Sequence, residues 1–154
     1  MKSTDPTRPA KPRIFVDADV LFAGAASPNE HSASNLILRM AELTLIEAVT
    51  STQAIAEVER SLSEKIPKAL PAFRLLVSRC TMVVDDPDPA ELTGLAGLAD
   101  PEDLPILVAA IQSECNLLAT FNLRHFQPGH PAVTVLQPGD LVLRVRYLLA
   151  NLSE

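Results

Sequence analysis

Apolar residues along this chain follow two rhythms. Short β-prone blocks stand at 14–16 (Ile-Phe-Val), 45–49, 81–84, 117–120 and 133–136, each bounded by polar or turn-forming residues. Such blocks read as strands buried on both faces. Between them, apolar positions recur at helical spacing. Leu36, Ile37, Met40 and Leu43 mark a helix over 32–43, with Ser34, Asn35, Arg39 and Glu42 between them. Ile55, Val58 and Leu62 mark a second, which Ser51 or Thr52 can cap and Pro67 breaks. Leu70, Phe73, Leu76 and Val77 mark a third over 68–78, and 140–149 reads as the last helix.

Two proline-containing stretches punctuate this order. DDPDP at 85–89 is a strong turn signal after the third strand. In ADPEDLPILVAAIQSE, Pro101 and Pro105 fit only a first helical turn, so the helix starts between Asp100 and Leu104. Asp100 followed by Pro101 also has the signature of an N-cap. Short apolar strands alternating with helices predict a mostly parallel sheet of about five strands, covered on both faces. The expected fold is therefore a three-layer α/β/α domain.

Composition narrows the setting. The chain has 154 residues, 47% of them apolar, which suits one domain with a real core. No apolar run reaches the roughly 20 residues that span a bilayer. Residues 1–12 are polar and proline-rich without an apolar signal core, so we expect a loose tail, a domain over 13–150 and a cytoplasmic address. Cys80 and Cys115 lie in apolar runs without metal-ligand spacing and are expected to be buried free thiols. The net charge of −6 does not advertise nucleic-acid binding, although an acidic pocket filled by a cation can override the total.

The acids carry the candidate chemistry. Asp17 and Asp19 stand at the exit of the first strand, where parallel sheets form their sites. Glu57 borders the apolar face of the second helix, and Asp103 falls in the first turn of the helix before the fourth strand. Each has an ordinary explanation as well: capping or turn formation for Asp17 and Asp19, solvation for Glu57, and the helix dipole for Asp103. Taken together, Asp17, Glu57 and Asp103 supply the oxygen ligands that Mg²⁺ or Mn²⁺ prefers. Pressed together without a cation, they would raise one another's pKa values. Asp17-Ala-Asp19 could alternatively serve a haloacid dehalogenase-like phosphatase. That pattern fits poorly, because Leu21 occupies the fourth place and Asp140 has no acidic partner four residues on.

Three stretches, FVDADVLFAG, TSTQAIAEVERSL and DPEDLPILVAAIQSECNLLATFNLRHF, carry a resemblance from residue 14 to about 141. The chain resembles the PIN domain, a family of metal-dependent nucleases that includes many toxins of bacterial toxin–antitoxin pairs. The resemblance implies an endoribonuclease using Mg²⁺ or Mn²⁺, with RNA as substrate, an antitoxin as partner and a possible homodimer. It maps the family's acids onto Asp17, Glu57 and Asp103 as catalytic metal ligands, and matches Asp100 to an extra aspartate of one branch.

Asn122 and His125 stand where relatives often carry acids, and neither supplies a fixed negative charge. A PIN fold that binds RNA or protein without efficient catalysis is the alternative this departure raises. Asp19, Thr120, Asn122 and His125 are read as supporting residues, Thr120 through a hydroxyl that can orient Asp17 or a water. Among the basic residues Arg39, Arg60, Arg74 and Arg124, Arg124 flanks the site and is the expected phosphate contact. With 4% aromatic residues and no Trp, shape and phosphate contacts should outweigh base stacking.

Overall fold

The computed structural model describes residues 11–26, Asn29 and residues 32–151. Of the expected tail at 1–12, only Lys11 and Pro12 fall among the described residues. Five strands form one sheet: β1 (Arg13–Val16), β2 (Glu47–Ser51), β3 (Thr81–Val84), β4 (Leu117–Ala119) and β5 (Thr134–Leu136). Their order is β3-β2-β1-β4-β5, and every neighbouring pair is parallel. Parallel neighbours need a crossover; α1 (Ala18–Ala26) and α2 (Ala33–Glu42), α3 (Thr52–Lys65) and α4 (Leu70–Cys80), and α5 (Pro89–Leu92) and α6 (Leu104–Gln112) supply the first three, the short turn Leu123–Phe126 lies in the fourth, and α7 (Pro138–Asn151) follows β5. The result is a three-layer α/β/α domain, with Ile14, Phe15 and Val16 of the central strand wholly buried.

Helix α1 is absent from the pattern read above, which treats the segment after Asp17 as a turn. Its sequence, ADVLFAGAA, is apolar almost all round and so has no amphipathic period. The cause is tertiary: α1 packs against both α2 and α3. A Cβ on Gly24 would come within 2.6 Å of Leu38 Cδ1, so glycine permits the close approach to α2. The inward face of α2 also differs from expectation. Ser34, Ile37, Leu38 and Ala41 are buried, whereas Leu43 is 65% exposed. The helix answers to α1, α4 and α7 together and is therefore rotated away from the stripe its most apolar residues suggest.

The other elements shift by a few residues for local reasons. Strand β2 runs to Ser51 because the buried Thr50 satisfies its hydroxyl on Val16 O at 3.0 Å. Ser51 caps α3, accepting from Ala54 N at 3.3 Å, and Asp86 Oδ1 accepts from Gln53 N at 2.8 Å. Helix α6 begins at Leu104, with Pro105 in its first turn and Asp103 at the N-cap position. Asp100, expected as the cap, instead accepts the Asp103 and Leu104 amides on its carbonyl, one turn before the helix. From Ile106 to Ala110 α6 is buried on all sides, packed against β2 and β4.

Two helices end in the same way. Thr44 N donates to Ala41 O and Leu45 N to Met40 O after α2; Glu114 N donates to Ile111 O and Cys115 N to Ala110 O after α6. These are Schellman turns with left-handed residues that are not glycine, Thr44 at φ 63° and Glu114 at φ 60°. Cys80 and Cys115 are buried and free. No helix among the described residues is long and apolar enough to cross a membrane.

Candidate active site

The sheet turns outward in both directions from β1, since β2 and β4 flank it and lead to opposite edges. That makes the carboxyl end of β1 the topological switch point, where open parallel sheets leave a crevice. Asp17 sits there, 6% exposed. Its amide donates to Ala119 O at 3.0 Å, extending the pairing with β4 by one residue. Its Oδ1 accepts from Ala18 N at 2.8 Å and its Oδ2 from Thr120 Oγ1 at 2.9 Å.

Asp19 lies in the first turn of α1. Its Oδ2 gathers the chain leaving β4. It accepts from Phe121 N at 2.9 Å and Asn122 Nδ2 at 3.1 Å, and lies 3.2 Å from Thr120 Oγ1. Thr120 also accepts from Asn122 N at 3.1 Å, so its single proton lies between two carboxylates. The other oxygen, Asp19 Oδ1, is buried with no hydrogen-bond partner among the described residues. A buried carboxylate oxygen without a partner is costly unless a proton or a cation meets it.

The electrostatics follow from this crowding. Burial, then the charge of Asp19, push the Asp17 carboxyl up to about 7, against the lowering effect of the Thr120 and Ala18 bonds. Asp103 adds to the rise, so its charge is felt across the crevice. Burial also raises Asp19, opposed by the bonds from Phe121 and Thr120. Asp103 is raised by burial, lowered by the neighbouring His125, and raised again by Glu57 and Asp100. Four carboxylates from α1, α3, the β1 exit and the α6 entry thus bear on one another.

On the far side, Asp103 Oδ2 meets His125 Nδ1 at 3.1 Å. Asp100 joins them: one ligand atom from each of Asp100, Asp103 and His125 lies within 4.8 Å of the others. The backbone fixes this meeting, because Asp100 N donates to His125 O at 2.7 Å. Asp17, Glu57 and Asp103 do not themselves close into so tight a set among the described residues.

Glu57 is held by a residue the sequence reading passed over. Gln53 Nε2 donates both to Glu57 Oε1 and to Glu102 O, each at 3.2 Å, tying α3 to the turn that carries Asp103. Its position four residues before Glu57 on one helix face was the available signal. Beside Glu57 and Asp19, a cleft of about 270 Å³ opens between α1 and α3. Arg124 is exposed on the short turn Leu123–Phe126. Arg39 and Arg60 are exposed on α2 and α3, and Arg74 pairs with Glu59 at 3.1 Å.

Curated protein sequences give no significant match. Among solved structures, the fold aligns with a chain from the crystal structure of VapBC2 from Rickettsia felis bound to a DNA fragment from their promoter. The TM-score is 0.60 at 17% identity, covering 81% of this chain and 98% of that one, a likeness of fold. The sequence itself matches the PIN domain over residues 13–124, from the first residue of β1 past the strand that delivers Thr120. With most of its length and all of the crevice acids inside that match, the chain belongs to the PIN domain family.

Proposed function

We propose that the chain is a metal-dependent endoribonuclease in which Asp17, Glu57 and Asp103 hold Mg²⁺ or Mn²⁺. The observation that carries this reading is the set of mutually repelling carboxylates at the switch point, with Asp19 Oδ1 buried and unpartnered beside them. Such a set is stable in its charged form only with a cation, and its oxygen donors match the preference of Mg²⁺ and Mn²⁺. A cation held there supplies a Lewis acid for a phosphate oxygen and a source of hydroxide near neutral pH. The chain's own groups set the geometry. Ala18 N and Thr120 Oγ1 fix the two oxygens of Asp17, and Gln53 sets Glu57 against the Asp103 turn. Asn122, anchored on Asp19, presents a neutral amide at the rim, and Arg124 provides a cation for the substrate backbone.

The test is cleavage of a structured RNA in Mn²⁺, in chelator, and with Asp17→Asn. The reading requires turnover only for the wild type with metal; equal activity of Asp17→Asn would sink it. Family resemblance extends the proposal to a toxin working in the cytoplasm, restrained by an antitoxin and able to pair with a second copy. The VapBC2 neighbour, bound to its promoter fragment, supports the fold of such a partner-bound toxin. Co-expression with the adjacent reading frame tests this, with rescue of growth as the expected result.

A second reading has its own observation. His125 engages Asp103 Oδ2 where relatives often carry an acid, so the far side of the site has an imidazole in place of a charge. On that reading the fold binds RNA or protein without efficient catalysis. Calorimetry with Mn²⁺ separates the two: no binding at millimolar concentration favours the binding module.

A further inference from the structure

The cleft between α1 and α3 has a graded lining. Asp19 and Glu57 stand at one end, Phe22 and Val58 form the wall, and Ser61 and Lys65 close the other end. Glu57, Ser61 and Lys65 are spaced four apart on α3 and so share one face, while Asp19 and Phe22 are three apart on α1. Eight residues of helix place Lys65 about 12 Å along the axis from Glu57. The lysine does not reach away from the site. Its Nζ lies over the Phe22 ring, 5.4 Å from the centroid, which draws the ammonium back along the groove.

Resting on the ribonuclease reading, we propose that this cleft is the subsite for the nucleotide next to the scissile phosphate of a single-stranded RNA. Lys65 holds the neighbouring phosphate, and Phe22 packs against the base or ribose. Three features converge. The cleft is continuous with the acids that hold the cation, so a strand whose phosphate reaches them must lie along it or leave across it. Folded over Phe22, which stands about 4.5 Å along α1 from Asp19, the ammonium is brought back toward the scale of a phosphate step, about 3.4 Å of helical axis on one strand. An aromatic wall beside a cation is the arrangement that binds single strands, with the ring as platform and the cation on the backbone. At about 270 Å³ the cleft admits one nucleotide rather than a duplex. The ammonium, already poised over the ring, exchanges a weak cation–π contact for a phosphate.

The probe is a fluorescein-labelled oligouridylate, read by anisotropy against salt in Mn²⁺ with the Asp17→Asn protein as the non-cleaving background. Adding Lys65→Ala should weaken binding and reduce the slope of log K against log salt by about 0.7, one phosphate contact on a single strand. Lys65→Arg should restore the slope. Phe22→Leu, which keeps the apolar volume, should weaken binding about five- to a hundredfold with the slope unchanged. Lys68→Ala, exposed on the turn just beyond α3, should change neither. Thermal melts check that each variant is folded.

A wild-type slope for Lys65→Ala, or an equal fall for Lys68→Ala, overturns the subsite. The parent reading is judged separately. In the cleaving protein, Lys65→Ala should raise KM and leave kcat. If the binding signatures hold but Mn²⁺-dependent cleavage is absent, the ribonuclease reading fails and the cleft stands. If cleavage proceeds with KM untouched by Lys65→Ala, the cleft fails and the nuclease stands.

Discussion

The two ends of the same sheet handle charge in opposite ways. At the amino end, Arg13 Nη2 and Nε donate to Ser113 O at 2.8 and 3.1 Å, and Nη1 donates to the Glu47 carboxylate. One cation there ties the start of β1 to the start of β2 and to the end of α6, and the Arg13 and Glu47 charges meet each other. At the carboxyl end, Asp17, Asp19, Asp103 and Glu57 face one another, with one imidazole among them and a buried oxygen left unpartnered. The first arrangement lowers the energy of the fold by itself. The second raises it, and a proton or a cation would relieve it. Stability and site are therefore segregated along the strand direction.

The sharpest way to break this contrast is at Asp17. Asp17→Asn should reduce RNA cleavage on the order of a thousandfold, the scale of losing a metal's charge stabilisation. The same change should raise the melting temperature of the metal-free protein, because it removes the most strongly desolvated charge. A lower melting temperature in chelator would show that the Asp17 hydrogen bonds outweigh its repulsions.

The next largest effect is on pH dependence. The Asp17 carboxyl is pushed up to about 7 in the folded chain from an ordinary 3.8. Folding thus favours its neutral form: the contribution is full below the unfolded value and is lost as pH rises through about 7. In chelator, urea unfolding should show stability falling by a few kcal/mol between about pH 4 and pH 7. Asp19 and Asp103 act in the same direction. Asp17→Asn should flatten the curve, and saturating Mn²⁺ should do likewise by favouring the charged form.

Smaller effects belong to the amino end. Arg13→Ala should destabilise the fold by about 1–2 kcal/mol, chiefly by removing the donors to Ser113 O. The pair with Glu47 is half in solvent and adds little. Cleavage at saturating metal should be unchanged, and a loss of kcat would mean the two ends are coupled. Thr44→Gly should stabilise by up to about 1 kcal/mol in the same unfolding assay, since a β-branched residue at φ 63° is strained. It too should leave activity alone.

How much of this was legible beforehand differs by element. The strand–helix alternation was, and so were the parallel sheet and the start of α6, because Pro101 and Pro105 leave few options. Helix α1 was not, since a segment packed among α2, α3 and α4 shows no polar face. Strand β2 was read two residues early because its buried end is polar; Thr50 and Ser51 are satisfied by a carbonyl on β1 and by an α3 amide. Of the acids, Asp17, Glu57 and Asp103 could be nominated from their elements. Thr120 was also nominated as a partner of Asp17, and the four-residue spacing of Gln53 and Glu57 was readable, but the bond of His125 to Asp103 depends on side-chain reach across the crevice.

By itself, then, the sequence determined the order of the elements, the burial of the IFV strand and the ends from which the acids emerge. These follow from local propensity and burial, which act over a few residues. Only the tertiary structure decided that Thr120 shares a proton between Asp17 and Asp19, and that His125 takes an oxygen of Asp103. Residues 103 positions apart meet because β1 and β4 are neighbours in the sheet, a pairing set by the packing of the whole chain.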